Sequence, residues 1–288
     1  MRSRLRALLW RHLPRAMLLL RYVRHFRRLP RLRRPRTFTD NVLVKLLFDR
    51  DPKLILFADK FAVRGYVAKK LGGEQNLTTL YAVVDRPEEI GGLSLPDRFI
   101  MKPNHLSGRV KVVKDLAAIE RTDLEALAAG WFRQNLGFER GEWAYRDIRP
   151  QVLFEELLEF EGQPPSDYRF YCFNGEPRLL GVTRDHLGPD PTRTFYDVEF
   201  KVLPVRLVGS TSRHVAVDGE PPPNYREMLE ITRKLSAGTD FLRVDLYNLG
   251  GRIVFGELTN YPAGGLRSFD PPSFDQTLGS YWTRQKSP

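Results

Sequence analysis

Cysteine is nearly missing from this sequence, and so are the short motifs that mark several common enzyme sites. The single cysteine, Cys172, excludes an intrachain disulfide framework and a cysteine-based zinc site, and it agrees with a reducing compartment. The five histidines are too scattered along the chain to predict a metal site. The patterns G-x-G-x-x-G, G-x-S-x-G, H-E-x-x-H and G-x-x-x-x-G-K-S/T are absent as well, which argues against the sites that each of them marks.

Acidic residues and lysine are missing from residues 1–36, which hold thirteen arginines. The formal net charge of +11 comes from this segment, because residues 37–288 hold 33 basic and 35 acidic residues. The chain of 288 residues is 42% hydrophobic and 28% charged, which predicts a globular body with a strongly basic N-terminal arm. The net charge therefore gives no reason to expect that the body binds nucleic acid.

Apolar residues recur at helical spacing among the arginines of residues 1–28, with Pro14 and Pro30 as breaks. The apolar run 16–20 is too short to cross a bilayer or to form the core of a signal peptide. The pattern favours an amphipathic helix on an anionic membrane surface, with Trp10 and Tyr22 at the headgroup level. A solvated basic extension, or a helix packed on the body with its arginines outward, is the alternative, and a nucleic-acid arm is the least favoured interpretation. We expect a cytoplasmic protein, peripheral at the inner membrane face, without a nucleic-acid partner.

The body alternates hairpin patterns with single helices, which predicts an α+β protein with antiparallel sheets rather than a doubly wound sheet. Helices are predicted at residues 40–48 with Asp40 as N-cap, between an Asp59 cap and Gly72, at 116–136 and at 225–235. Strands or hairpins are predicted at residues 80–84, 98–113, 152–158, 166–182 and 241–259. The turn-rich segment 183–223 is expected to hold a loop and one or two strands around 202–208.

Lys102 ends an apolar strand and precedes the glycine-containing turn 104–108. Because a bare ammonium is costly in such a place, the turn and Lys102 are candidates for holding a phosphate, although a hairpin with a lysine is more often structural. Lys60 and Arg64 would share one face of the helix that Asp59 is expected to cap. For such a pair an exposed helical face is the commoner interpretation.

The hairpin at residues 241–259 carries two carboxylates within apolar strands, Asp245 in the first strand and Glu257 in the second. Removing each charge from water is costly, and two carboxylates brought close together repel each other. A cation should therefore lie between them, and a divalent metal ion is the natural candidate. Arg243 faces the same side of its strand as Asp245. It either clamps a substrate oxyanion or neutralises Asp245 or Glu257.

Six short phrases occur in order between about residue 37 and Trp282. They are Ala58-Asp59-Lys60, Lys102-Pro103-Asn104-His105 with Ser107-Gly108, Asp167-Tyr168-Arg169-Phe170, Phe173-Asn174-Gly175, Arg243-Val244-Asp245-Leu246-Tyr247 and Gly256-Glu257-Leu258-Thr259. This order resembles the ATP-grasp superfamily. Within it, the phrases look most like the TupA-like branch, which is linked to teichuronopeptide and other surface-polysaccharide biosynthesis. The basic arm lies outside the resemblance.

The resemblance implies an α+β ATP-grasp fold, in which two subdomains of antiparallel hairpins and helices clasp a nucleotide, and it implies ATP and Mg²⁺ as cofactors. Lys102 would contact the phosphates, the turn 104–108 would close over them, and residues 155–158 would read the adenine. In many ATP-grasp enzymes an asparagine follows the second metal-binding carboxylate by two residues, where this chain has Thr259 and then Asn260. The implied roles are nucleotide contact by Lys102, Asn104, Ser107, Gly108, Glu155, Glu156, Leu158 and Asp167, metal binding by Asp245, Glu257 and Thr259 or Asn260, and catalysis by Arg243 and Lys60.

The implied activity is that of a carboxylate–amine ligase, which activates a carboxylate as an acylphosphate for attack by an amine. Its carboxylate and amine substrates would be linked to a saccharide, either a cell-surface polysaccharide or its precursor. Two alternatives stay open: ATP-dependent phosphoryl or glycosyl transfer to a sugar, and a non-catalytic membrane-associated scaffold. The predicted domains are a basic arm at 1–36, an N-terminal α/β region at 37–98 and a nucleotide- and metal-binding region at 99–288.

Overall fold

The computed structural model describes residues 8–185, 188 and 190–283, which form two compact units. Unit 1 contains residues up to Met17, Arg50–Tyr66 and Leu77–Leu158. Unit 2 contains Leu18–Asp49, Val67–Asn76 and the residues from Glu159 onward. None of the described helices is both long enough and apolar enough to cross a membrane.

Helices and strands follow one another along the described residues in the mixed order that the sequence predicts. The α-helices are α1 (Pro14–Phe26), α2 (Phe38–Phe48), α3 (Lys53–Ala58), α4 (Ala62–Leu71), α5 (Arg121–Phe132), α6 (Leu136–Arg140), α7 (Tyr225–Ser236) and α8 (Ser273–Ser280). The strands are β1 (Leu80–Val84), β2 (Phe99–Pro103), β3 (Lys111–Val113), β4 (Val152–Glu155), β5 (Asp167–Phe173), β6 (Glu176–Arg184), β7 (Thr192–Tyr196), β8 (Arg206–Val208), β9 (Arg213–His214), β10 (Phe241–Leu249), β11 (Arg252–Thr259) and β12 (Ser268–Asp270). Short 3-10 helices cover Pro87–Gly92, Trp143–Tyr145 and Pro262–Gly265.

Unit 1 is built on a four-stranded antiparallel sheet in the order β1-β4-β2-β3. Alternate residues of β2, Phe99 and Met101, are buried and pack with Phe154 of β4 and Trp131 of α5. Burial of such side chains removes apolar surface from water and supplies most of the stability of a sheet that packs on a helix. This packing therefore holds β2 and β4 in place at their C-terminal ends, where Lys102 and Glu155 lie.

Unit 2 is built on a six-stranded sheet in the order β11-β10-β5-β6-β7-β9, in which only β7 and β9 run parallel. Helix α7 presents buried Met228, Ile231 and Leu235 and packs on β5, β6 and β10. A second cluster joins α2 to the sheet, where the Phe38 ring lies 5.1 Å from the Phe241 ring, centroid to centroid. Each such aromatic pair contributes about 0.5–1.5 kcal/mol beyond the area that it buries. The small β8–β12 sheet completes the strands of this unit.

A β-bulge shapes the last hairpin of unit 2. In the pairing of β10 with β11, Asp245 lies opposite Glu257 and Leu246 lies opposite Phe255, so Gly256 is the extra residue. A Cβ atom at Gly256 would lie 3.0 Å from the Asp245 carbonyl oxygen and 3.1 Å from the Tyr247 ring. Only glycine fits at this position without a shift of the neighbouring strand. The bulge brings the two carboxylates to the same face of the sheet.

The second part of the arm packs on unit 2. Leu18 and Tyr22 of α1 are buried, and the Tyr22 hydroxyl donates a hydrogen bond of 2.5 Å to Asp40. Arg28 pairs with the same carboxylate at 2.9 Å, and Arg21 donates to the Gly264 carbonyl at 2.8 Å. The helix of the arm therefore belongs to the fold of this unit.

Trp10 and Tyr22 are only 3% and 1% exposed, so the prediction that they lie at a lipid headgroup level is wrong. Packing of these aromatic rings against protein is more favourable than a position at a membrane–water interface, where one end of the ring is hydrated. Apolar exposure on the arm is instead at Leu8, Leu13, Leu20 and Leu29, which are 54–80% exposed.

Most predicted elements are confirmed, with shifts at their ends. Thr37 rather than Asp40 caps α2, because the Thr37 hydroxyl accepts the Asp40 N–H at 3.1 Å. The helix predicted at residues 116–136 is shorter in the structure, where α5 covers Arg121–Phe132. The strand predicted at 152–158 ends at Glu155. Strand β7 lies at residues 192–196, where only a loop was expected. The antiparallel α+β class is confirmed in both units.

Candidate functional site

Three charged residues of unit 1 form what we call the Lys102 cluster: Arg64, Lys102 and Glu155. Glu155 is 3% exposed, and its carboxylate lies 2.6 Å from the Lys102 ammonium and 3.2 Å from the Arg64 guanidinium. Arg64 also donates to the Thr78 carbonyl at 2.7 Å. A buried carboxylate needs this kind of compensation, since an unpaired charge there costs several kcal/mol. Lys102 thus has a protein anion as its partner and is held at the end of β2.

Backbone pairing holds residue 156 beside the cluster. The Glu156 N–H donates to the Thr79 carbonyl at 2.9 Å, and its carboxylate accepts the Thr79 N–H at 3.1 Å. Leu158 is 7% exposed. The predicted adenine segment 155–158 therefore begins with an ion-paired side chain, continues with a bonded backbone and ends with a buried apolar side chain.

The turn 104–108 is fixed by its first residue. Asn104 is fully buried: its side-chain amide donates to Asp59 at 3.1 Å and to the Arg149 carbonyl at 3.0 Å, and its oxygen accepts the Gln151 N–H at 2.8 Å. The Asn104 N–H is also bonded to the Gln151 carbonyl. Asn104 therefore anchors the turn from inside. Ser107 and Gly108 are exposed, and Gly108 has the positive φ of 68° that favours glycine.

Lys60 contacts the same turn. The sequence predicted that Lys60 lies on a helix, and the structure shows that it precedes the helix. The Asp59 carboxylate accepts the N–H groups of Phe61 and Ala62, which delays the start of α4 to Ala62. The Lys60 ammonium donates to the Leu106 carbonyl at 2.5 Å. Lys60 and Arg64 therefore have separate partners within unit 1.

In unit 2, the residues Arg243, Asp245, Glu257 and Thr259 form what we call the Arg243 cluster. Arg243 donates to both oxygens of Asp245, at 2.7 and 2.5 Å, and its Nη2 atom also donates to Glu257 at 2.8 Å. The Thr259 hydroxyl donates to the same Glu257 oxygen at 3.0 Å. One guanidinium therefore compensates two carboxylates, which is the neutralising role considered for Arg243. Asn260, the neighbour of Thr259, is 3% exposed.

Burial and charge act in opposite directions on this cluster. Burial raises the pKa of Asp245 to about 7, and Arg243 lowers that pKa only in part. Burial disfavours the Arg243 cation, yet its two acidic partners raise the pKa of Arg243 well above the ordinary value. Burial, followed by the nearby Asp167 charge, also raises the pKa of Tyr247. The cluster is thus a partly buried electrostatic network in which each charge depends on its neighbours.

Asp167 lies on the same face of the sheet, opposite Tyr247 in the register of β5 and β10. One oxygen, Oδ2, accepts from Arg169 at 2.8 and 2.5 Å, whereas Oδ1 is buried and has no hydrogen-bond partner within residues 8–185, 188 and 190–283. A buried carboxylate oxygen normally has a partner. Asp167 therefore retains an acceptor atom for a ligand.

Arg169 connects Asp167 to the Arg243 cluster. Its Nε atom lies 3.8 Å from Asp245, the residue opposite it in β10. Burial opposes the Arg169 cation, but the Asp167 charge raises its pKa above the ordinary value. Asp167 and Arg169 are two residues apart on β5, so their side chains share one face of the sheet.

Two further arginines near these residues, Arg193 and Arg267, were not predicted from the sequence. Arg193 is on β7, and Arg267 follows the Pro262–Gly265 turn. Arg193 lies opposite Thr183, which itself lies opposite Asp167, so all three side chains share one face of the sheet. Polar and apolar residues do not alternate in residues 192–196, so the sequence offered no local signal for the strand that carries Arg193.

The Asp245–Glu257 pair offers carboxylate oxygens, which are the kind of ligand that Mg²⁺ prefers. Two carboxylates that share one guanidinium nitrogen, together with the Thr259 hydroxyl, are hard oxygen donors. Across the described part of the chain, no group of three or more histidine, cysteine, aspartate or glutamate side chains is arranged to hold a metal ion. A metal at this pair would therefore need oxygen atoms from a phosphate or from water as well.

Antiparallel α+β units, a carboxylate pair across the last hairpin and a lysine at a strand end are the features of an ATP-grasp protein. The family model for TupA-like ATPgrasp matches residues 40–283, and the chain belongs to this family. No match was found among curated proteins.

Solved structures of similar fold include several ligases. The ATP-grasp ligase PsnB with its minimal precursor is 14% identical, with a TM-score of 0.39, over 76% of this chain and 59% of that one. D-Alanine–D-alanine ligase from Helicobacter pylori is 18% identical, with a TM-score of 0.44, over 80% and 62%. The L-amino acid ligase from Bacillus licheniformis is 12% identical, with a TM-score of 0.46, over 79% and 49%. This chain thus spans less than two thirds of the length of these three proteins.

Proposed function

We propose that this protein is an ATP- and Mg²⁺-dependent carboxylate–amine ligase that modifies a surface saccharide or its precursor. The observation that carries the proposal is the Asp245–Glu257 pair, set opposite each other by the bulge at Gly256 in a chain of the TupA-like ATPgrasp family. Two carboxylates on one face are costly unless a cation serves them. Arg243 supplies one positive charge for the two carboxylates, and a divalent ion that also binds phosphate oxygens would supply further positive charge.

In this proposal unit 2 supplies the metal-binding groups. Asp245 and Glu257 bind the ion, with the Thr259 hydroxyl or the Asn260 amide as a further oxygen donor. Bound Mg²⁺ would neutralise phosphate charge as the phosphoryl group moves to the substrate carboxylate. Arg243 is then free to share its donors between the carboxylates and the developing oxyanion. Asp167 would accept a ribose hydroxyl at its buried Oδ1 atom.

Unit 1 is assigned the remaining nucleotide contacts. Lys102 would exchange its contact with Glu155 for one with a phosphate, while Arg64 keeps Glu155 compensated. Ser107 and Gly108 would cover the phosphates, and the backbone of residues 156–158 would contact the adenine. Lys60 is assigned a positioning role, because it holds the turn at Leu106 rather than pointing to solvent alone.

The test is ADP release with a matrix of uronic-acid sugars and amino acids. We expect release that depends on both substrates and that falls at least 100-fold in Asp245→Asn and Glu257→Gln, since the phosphoryl charge would no longer be neutralised. Glu220→Gln changes an exposed loop carboxylate of unit 2 and is the control. Circular dichroism would show that the variants are folded.

Product analysis decides the reaction type. An amide product supports the ligase reaction. A phosphorylated or glycosylated sugar would instead show that the reaction is phosphoryl or glycosyl transfer. Unchanged ADP release in both carboxylate variants would exclude the metal assignment. No effect of Mg²⁺-ATP on thermal stability would instead favour a scaffold without catalysis, because a ligand bound only by the folded state must stabilise it.

We also propose that the arm brings the protein to an anionic membrane surface from the cytoplasmic side. Its support is the combination of exposed Leu8, Leu13 and Leu20 with exposed arginines such as Arg24 and Arg27. Apolar insertion and attraction to anionic lipid act together in such segments.

A further inference from the structure

Arg193 is a buried cation without an acidic partner. It is 8% exposed, and its hydrogen bonds go to hydroxyl groups: Nε donates to Thr183 at 2.9 Å and Nη1 to Ser210 at 3.4 Å. No described carboxylate lies within ion-pair distance of it. Two hydroxyl contacts leave most of the five guanidinium donors unused. Only neutral hydroxyl groups therefore compensate the buried charge of Arg193.

Arg267 repeats this situation nearby. Its Nε atom is buried and has no hydrogen-bond partner in the described part of the chain, although the side chain as a whole is partly exposed. Burial lowers the pKa of Arg267, and the charges of Arg243 and Arg169 add to the effect. Arg267 directly precedes Ser268, which pairs with Val208 of β8. Ser210 lies two residues after Val208 and accepts from Arg193, so the two arginines lie in the same part of unit 2.

The carboxylates of this face are already engaged by other arginines. Asp167 pairs with Arg169, and Asp245 and Glu257 share Arg243. Among the described residues, neither Arg193 nor Arg267 therefore has a carboxylate within ion-pair distance. Burial lowers the pKa of Arg193 to about 10, so it is still a cation at neutral pH. Two arginines in the same part of unit 2, each with donors that no described carboxylate accepts, are suited to binding an anion.

We infer that Arg193 and Arg267 form a subsite for an oxyanion group, carboxylate or phosphate, of the substrate other than ATP. Guanidinium groups recognise both kinds of oxyanion by paired N–H···O hydrogen bonds. Arg267 is partly exposed and can meet the ligand first, and the Thr183 and Ser210 hydroxyl groups hold the Arg193 fork in place. The inference deepens the proposed function, on which its account of the substrate rests, by making that substrate an acidic sugar.

The test measures binding to the full chain in the absence of ATP and metal ions. Isothermal titration calorimetry compares glucuronate, glucose 1-phosphate and glucose. We expect one of the two anions to bind and neutral glucose not to bind, and the preferred anion distinguishes a carboxylate from a phosphate source. Arg267→Gln should weaken binding at least 10-fold, with partial recovery in Arg267→Lys. Arg233→Gln removes an exposed arginine of the same unit and should change nothing.

Arg193→Met should weaken binding as well, but its burial makes Arg267→Gln the decisive variant. Equal affinity of the wild-type protein and Arg267→Gln would overturn the subsite, and so would binding of neither anion. A kinetic readout separates the subsite from the nucleotide contacts: Arg267→Gln should raise KM for the acidic substrate at least 10-fold and leave KM for ATP within about twofold. A rise in KM for ATP alone would count against it.

Failure of the subsite differs from failure of the proposed function. Anion binding without any ADP release would support the subsite and overturn the proposed ligase activity. ADP release that requires Asp245 but is unchanged in Arg267→Gln would support the ligase and overturn the subsite.

Discussion

Single charged residues in this protein have functions that depend on how deeply they are buried. Arg243 compensates two acids at once, and Glu155 is compensated by two bases. In water such pairs would contribute little, whereas in a dry interior the loss of one partner is costly. Asp275 of α8 shows the same dependence for a single carboxyl group. It accepts the Thr39 N–H at 3.0 Å and the Thr39 hydroxyl at 2.7 Å.

Asp275 predicts a pH dependence of stability. Burial is the largest effect and raises its pKa above the ordinary value of 3.8, against the lowering effects of Thr39 and Arg28, and nearby Asp40 adds to the rise. A carboxyl group with a raised pKa in the folded state contributes stability fully below its unfolded pKa. This contribution is lost as the pH rises through the folded pKa. Asp275→Asn cannot ionise, so its stability relative to the wild-type protein should increase from about pH 4 to pH 7.

Urea unfolding of both proteins at several pH values checks this expectation. Asp218→Asn, at an exposed loop carboxylate, is the control and should track the wild-type protein. A stability difference between Asp275→Asn and the wild-type protein that stays constant over this pH range would contradict the assignment.

At the scale of elements, the bulged hairpin of β10 and β11 determines where the carboxylates point. The extra residue changes the phase of β11, and Glu257 then shares a face with Asp245. Gly256 makes this possible, because a Cβ atom there would lie only 3.0 Å from the Asp245 carbonyl oxygen and 3.1 Å from the Tyr247 ring.

Gly256→Ala should therefore affect stability and activity together. The added methyl group forces the strands apart, which should lower the free energy of unfolding by about 1–3 kcal/mol and reduce ADP release more than the lost stability explains. Gly219→Ala is the matched control, since a Cβ atom there meets nothing within 4 Å. Denaturant unfolding and initial rates on the same preparations measure both effects. A variant that loses stability but keeps full activity would show that the bulge is structural only.

Much of the fold could be predicted because its signals are local. Alternation and the Asn174-Gly175 turn, both residues with positive φ, fix the β5–β6 hairpin, and amphipathic spacing fixes α7. Strand β7 is short and flanked by turns, so its strand character comes from pairing with β6, which no local pattern shows. Arg193 was missed for that reason.

The sequence singled out several charged residues of the candidate site, but not the distant residues that pair with them. Apolar surroundings single out Asp245 and Glu257 in the sequence, whereas partners such as Arg64 for Glu155 come from residues 91 positions away. Long-range pairing of this kind depends on the sheet and not on spacing. The domain limits predicted at residues 36 and 98 stay a prediction, as do the site roles.

On the scale of the whole molecule, charge is concentrated in the arm. The exposed arginines of residues 8–36 predict binding to anionic membranes, with each basic residue near the surface contributing about 1 kcal/mol. The full chain should sediment with liposomes that contain phosphatidylserine and not with neutral ones. Replacing Arg24, Arg27 and Arg31 by glutamine should weaken this binding at least 10-fold.

The matched control replaces three exposed arginines of unit 2, Arg206, Arg213 and Arg233, by glutamine, and it should bind as the wild-type protein does. Raised salt should release the protein, because exposed charges are screened. Equal sedimentation with neutral and anionic liposomes would rule out the electrostatic attachment.

The hydrogen bond from Tyr22 to Asp40 has a practical consequence for protein production. A shortened chain that starts after residue 36 would remove an arginine-rich segment and look attractive for expression. It would also leave the fully buried Asp40 carboxylate without Tyr22 and Arg28, and the Gly264 carbonyl without Arg21. A buried acid that has lost its donors is strongly destabilising. An expression boundary for this protein therefore belongs before Pro14, ahead of the helix that carries Arg21 and Tyr22 and leads to Arg28.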